Sequence, residues 1–100
     1  SEFLENIVGI SSRDHAVEIA LASGETFIVN CGSSELLPQL DERFLKLRRG
    51  FLVNMEYIAN MGAEGCTLRN GEEVLFSRKE RISIREAYNR WVFSRLAERR

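Results

Sequence analysis

Short apolar runs separated by polar turn signals occupy the chain as far as Ser77, a spacing that admits strands and few helices. "LENIVGI" (residues 4–10) and "AVEIAL" (residues 16–21) flank the polar "SSRDH", which reads as two strands joined by a short loop. Ser23-Gly24 marks a turn before a third strand, "ETFIVN". There Thr26 and Ile28 alternate with Phe27 and Val29, which implies cover on both faces. "CGSSELLPQLDERF" breaks the pattern. Ser33 and Ser34 are capping residues for a short helix with Leu36, Leu37 and Leu40 on its apolar side, and Pro38, lacking an N–H, keeps it brief. "FLKL" and "FLVNM" return to strand character around Arg48-Arg49-Gly50. "CTLRNGEEVLFS" contains Asn70-Gly71, the dipeptide favoured in type I′ hairpins, so "CTL" and "EVLF" are expected to pair.

Beyond Ser77 the period of two gives way to helical spacing. Ser77-x-x-Glu80 and Ser83-x-x-Glu86 both match a capping box, and Ile84, Ala87, Tyr88, Trp91, Val92 and Leu96 form a core-facing stripe. Arg81, Arg85, Arg90, Arg95, Arg99 and Arg100 read as the wet face of that helix. Met55, Met61, Phe27, Phe44, Phe51, Phe76 and Trp91 read as core. The expected fold is mainly β, with seven or more short strands, one short central helix and a longer C-terminal helix. It forms a single domain over residues 1–100. A chain of 100 residues buries roughly 60–70% of its unfolded surface, enough for one modest core. With no initiator Met, it reads as a domain excised from a longer protein, Ser1-Glu2-Phe3 being consistent with a cloning remnant.

The chemistry-bearing inventory is thin. His15 is the only histidine, and no nucleophile elbow, phosphate-cradling glycine loop or metal-ligand spacing is present. No enzymatic activity, metal or cofactor is therefore expected. Cys31 and Cys66 lie far apart in no C-x-x-C pair, as reduced thiols of a cytoplasmic protein would. No apolar run approaches the ~18 residues of a membrane helix, and no signal peptide opens the chain.

Charge is more informative. The net charge is −1, but residues 1–42 carry eight acids and one base (−7), whereas residues 43–100 carry 13 bases and seven acids (+6). Such asymmetry hints at a polyanion partner. Arg48 and Arg49 fall between two strands, and Arg78 and Lys79 fall where the last strand turns into the helix. A guanidinium fork suits phosphate or the guanine edge, and a helix start adds backbone N–H donors. The competing reading makes them solvated charges, or partners of Glu72, Glu73 and Glu80. His15 likewise is either a solvated loop residue or a donor to phosphate or base.

At "FLKLRRGFLVNMEYI" the sequence resembles the LytTR family of bacterial DNA-binding domains. Phe44, Lys46, the triplet Arg48-Arg49-Gly50, Phe51, Leu52, Val53-Asn54 and Ile58 follow the family's order. A leucine, short helix and Asp-x-x-Phe run precede them at Leu36 to Phe44. An x-Leu-x-Asn-Gly hairpin (Leu68 to Gly71) and a strand ending in Ser77-Arg78 follow. The resemblance spans about Ile7 to Ala87. It implies an elongated arrangement of several short antiparallel sheets that places loops in successive major grooves of double-stranded DNA. It also implies the output half of a cytoplasmic response regulator, behind a covalently linked receiver domain, binding direct repeats as a homodimer. By resemblance the DNA contacts come from three loops. The first carries Arg13 and His15, the second Arg48 and Arg49, the third Arg78 and Lys79, with Gly50 and Asn54 as structural support. Two departures stand out. Arg48 and Gly50 replace the family's usual His and Ser, and the C-terminal helix is longer than the family's usual ending. A module of the same fold that dimerises or binds protein instead of DNA is the alternative, favoured by the low pI of about 5.9.

Overall fold

A computed structural model describes residues 2–98. In chain order the elements are α1 (Glu2–Glu5), β1 (Ile7–Arg13), β2 (Ala16–Leu21), β3 (Thr26–Val29), α2 (Ser33–Leu36), β4 (Phe44–Arg48), β5 (Phe51–Asn54), β6 (Ile58–Met61), β7 (Gly65–Leu68), β8 (Glu73–Leu75) and α3 (Arg81–Glu98). Single turns of 3-10 helix at Leu37–Gln39, Met55–Tyr57 and Arg78–Glu80 link them. Among the described residues, eight strands form two antiparallel sheets, one ordered β3-β2-β1-β5-β4 and one ordered β6-β7-β8. The mainly β fold with a short central helix and a C-terminal helix is as the sequence implies.

Alternation along β1, β4 and β5 divides the larger sheet into two faces, each with its own core. Ile7, Ile10, Val17 and Ile19 are buried on one face, under Leu4, Leu36, Leu40, Phe44 and Leu52. On the other, Leu47 and Val53 join Met55, Ile58, Cys66, Leu68, Val74 and Phe76 of the smaller sheet and Ile84 of α3. A sheet covered on both faces at β1-β5-β4 is a rigid base for whatever its strand ends display.

Several local expectations need correction. Leu4 lies in α1 rather than in the first strand, because the backbone there closes a turn through Asn6 N–H to Phe3 O (3.1 Å). Ser11, Ser12 and Arg13 belong to β1, paired with Glu18, Val17 and Ala16, so the loop shrinks to Asp14-His15. β3 is exposed along its whole length, since it is the sheet's edge, and Phe27 is therefore not core. Gly32, not a serine side chain, caps α2. At Asn70-Gly71 only Gly71 has positive φ (92°), with Gly71 N–H bonded to Leu68 O and Leu68 N–H to Glu72 O. That is a three-residue loop closed by a glycine bulge rather than a type I′ turn. Neither capping box forms; α3 grows from the Arg78–Glu80 turn, and the Ser83 hydroxyl donates to Glu80 O (3.0 Å). Of the helix arginines, Arg95 pairs with Glu56 (2.6 Å) over the Trp91 ring, and Arg81 pairs with Glu64 (3.6 Å). Leu96 of the proposed stripe is 55% exposed. Ser1, Arg99 and Arg100 lie outside the described residues.

Burial also marks Cys66, whose thiol is pushed from 9.0 up to about 11 by desolvation. The folded state thus favours the neutral thiol. This contribution to stability is whole below pH 9 and is lost as pH rises toward 11. Urea unfolding of the wild type and Cys66→Ala should give a stability difference at pH 8 that shrinks by pH 11. A constant difference would contradict the assignment.

Candidate nucleic-acid interface

The three candidate segments are far apart in sequence, and main-chain hydrogen bonds tie them into one edge. Ser12 N–H donates to Gly50 O (2.7 Å), joining the end of the β1–β2 hairpin to the β4–β5 turn. Ser77 N–H donates to Leu47 O (3.1 Å), joining the start of the Arg78–Glu80 turn to β4. Each of the four bonded residues is the chain neighbour of a basic one: Arg13, Arg49, Arg78 and Arg48. A side-chain tie would be vulnerable to every change of residue; these ties use backbone alone.

Local geometry explains the display. His15 adopts φ 59°, a left-handed conformation that histidine tolerates better than most residues, and its side chain is exposed at the hairpin tip. Arg48 ends β4 beside a bulge between Lys46 and Arg48, and its guanidinium lies 5.7 Å from the centre of the Phe51 ring. Gly50 has φ 76°, which a side chain would strain, and a Cβ there would sit 3.7 Å from Ser12 Cβ. Arg49 is thereby held out on a tight turn.

Charge on this edge is net positive. Arg48, Arg49, Arg78 and Lys79 are all exposed and form no ion pair among the described residues. Arg13 is different, because it pairs with Glu18 across β1–β2. Asp14 and Glu80 are the other carboxylates in these segments, whereas Glu72 lies at the opposite end of β8 from Ser77. Lys46 belongs to the motif rather than to the three segments, yet it lines a cleft of about 290 Å³ with Arg49, Gly50, Ser12 and Ser33. Its signal was strand parity: Lys46 is exposed on β4 next to buried Leu47.

Asn54 acts away from the Arg48-Gly50 turn. It is fully buried at the far end of β5, where its Nδ2 donates to Ile7 O (3.0 Å) and Leu4 O (3.5 Å) and its Oδ1 accepts from Glu56 N–H (2.9 Å). It therefore locks the α1–β1 junction to the Met55–Tyr57 turn.

The model of the LytTr DNA-binding domain matches residues 3–89, and those bounds take in all three basic segments. The chain belongs to the LytTR DNA-binding domain family. A solved structure with the same fold is the LytTr DNA-binding domain of a protein described as a methyl-accepting/DNA response regulator from Bacillus cereus. It superposes with a TM-score of 0.72 at 18% identity, covering 84% of this chain and 82% of that one. No curated protein matches the chain. As a LytTR domain it is a DNA-binding module, and no helix among its described residues is long and apolar enough to cross a membrane.

Proposed function

We propose that this LytTR domain reads double-stranded DNA sequence-specifically, as the cytoplasmic output domain of a bacterial response regulator whose receiver domain lies elsewhere in the same protein. Arg49 and His15 approach base edges in successive major grooves, Arg48, Arg78 and Lys79 grip phosphates, and Lys46 extends the grip beside Arg49. Two copies occupy direct repeats as a dimer. The observation that carries this reading is the pair of backbone bonds, Ser12 to Gly50 and Ser77 to Leu47, which gathers unpaired cations onto one edge of an otherwise acidic chain. Arg13 contributes less, because Glu18 holds its charge.

The test is selection of genomic fragments on the immobilised domain, followed by titration of the enriched site at several salt concentrations. Phosphate neutralisation releases counterions, so log K should fall linearly with log salt, with a slope on the order of −3 for three to four phosphate contacts. Absence of an enriched motif, or a flat salt response, would return the protein to the alternative of a protein-binding module.

A further inference from the structure

The family match ends at residue 89, whereas α3 continues to Glu98, a helix of about 27 Å. The turns beyond the match help to build a cavity of about 420 Å³. They supply Trp91, Arg95 and Leu96 to its lining, and the chain from Met55 to Arg69 supplies Met55, Ile58 and Arg69. Met55 and Ile58 are buried and make an apolar floor, with the Trp91 ring beside it. The cavity begins at the end of β5 away from the Arg48-Gly50 turn, and none of its lining comes from the three basic segments.

Charge in the cavity is unevenly satisfied. Glu56, also in the lining, is already engaged, with Arg95 Nη1 2.6 Å from one carboxylate oxygen and Arg43 Nη1 3.9 Å from the other. Arg69 has no carboxylate partner among the described residues. It is nevertheless held in place. Its backbone N–H donates to Tyr57 O (2.9 Å), and its guanidinium lies 5.5 Å from the centre of the Tyr57 ring. An unpaired planar cation thus stands beside an apolar and aromatic hollow.

We propose that this cavity binds a small organic monoanion, a carboxylate carried on an apolar or aromatic body. The carboxylate forks onto Arg69, whose planar guanidinium matches it in shape and loses little freedom because it is already stacked. The body lies on Ile58 and Trp91 and covers Leu96, which is 55% exposed without it. Such a volume, with an apolar lining and few convergent polar groups, is typical of small-molecule sites. A neutral ligand leaves Arg69 unpaired, and a dianion brings one charge more than Arg69 can meet. Bare phosphate or sulfate would gain the fork and nothing from the floor. The site is separate from the basic edge and does not rest on the DNA-reading proposal.

The test is titration of the domain with hydrocinnamate, a phenyl ring on a short chain ending in carboxylate, followed by amide NMR. Trp91 is the chain's single tryptophan, so its indole N–H gives an unambiguous signal. That signal and the amides of Ile58 and Arg69 should shift saturably, with Kd on the order of 0.1–1 mM. Hydrocinnamamide, with the same body and no charge, should bind roughly tenfold more weakly. Arg69→Gln should weaken the acid about tenfold while leaving amide binding and the melting temperature unchanged, because Arg69 is exposed and unpaired. Leu96→Ser should weaken both ligands about threefold. Shifts absent from these residues or confined to the basic edge would overturn the inference. So would equal binding of acid and amide, unaltered binding of the acid by Arg69→Gln, or unaltered binding of both ligands by Leu96→Ser.

Discussion

Replacing Asn54 by leucine is expected to cost about 3–5 kcal/mol of stability, a large part of what a domain of this size possesses. Leucine matches the volume but removes a donor to Ile7 O, in a buried site, and an acceptor from Glu56 N–H, in a part-buried one. Each orphaned backbone group then carries its own desolvation penalty of roughly 1–3 kcal/mol. The melting temperature should fall by about 15–30 °C, and the N-terminal turn should lose amide protection before the sheet does. Asn54→Asp separates the two halves of the effect, since it keeps the Glu56 acceptor and sets a carboxylate against the Ile7 carbonyl. It should be at least as damaging as leucine. A thermal melt within about 5 °C of wild type for either variant would show that water or a shift of the chain replaces these bonds.

Removing Arg48 and Arg49 together has the largest expected effect on DNA. If Arg49 forks onto a base and Arg48 onto a phosphate, the double alanine variant should bind about 30- to 1,000-fold more weakly, with a salt slope shallower by about one. The single variants divide that loss. Arg49→Ala should flatten discrimination at one base pair, whereas Arg48→Ala should weaken all sites alike. Arg49→Lys keeps the charge and loses the planar fork, so it should retain affinity better than specificity. Because Arg48 lies against the Phe51 ring, its removal also strips apolar cover from the turn, and a melt of Arg48→Ala must accompany the titration. Equal affinity of wild type and double variant across salt concentrations would remove the central turn from the interface.

Most strands were legible because β1, β2, β4, β5, β7 and β8 alternate or cluster their apolar residues between turn signals, a local property. What escaped depends on partners distant in sequence. β3 has the composition of a covered strand, and nothing within "ETFIVN" tells that it ends a sheet. Leu4 has strand-like neighbours, yet its carbonyl is claimed by Asn54, fifty residues away. The turns beside the basic residues were readable, though Arg13 and Arg48 themselves end strands, and the motif around Arg48-Arg49-Gly50 put them in one family. Their assembly into one edge rests on the bonds from Ser12 to Gly50 and from Ser77 to Leu47, which no spacing announces. The pairing of Arg13 is hidden for a similar reason, since its partner Glu18 comes within reach only because β1 and β2 run on to a two-residue loop.

Those two backbone bonds have a consequence for how such a domain changes over time. Main-chain atoms hold the three segments in place, so the side chains beside them are free to vary without loosening the frame. Under the proposed function, such changes would leave the scaffold's shape as it is and alter the DNA sequence it reads. Grafting another member's residues at positions 13, 15, 48, 49, 78 and 79 should therefore transfer its operator preference, with the fold left as it was.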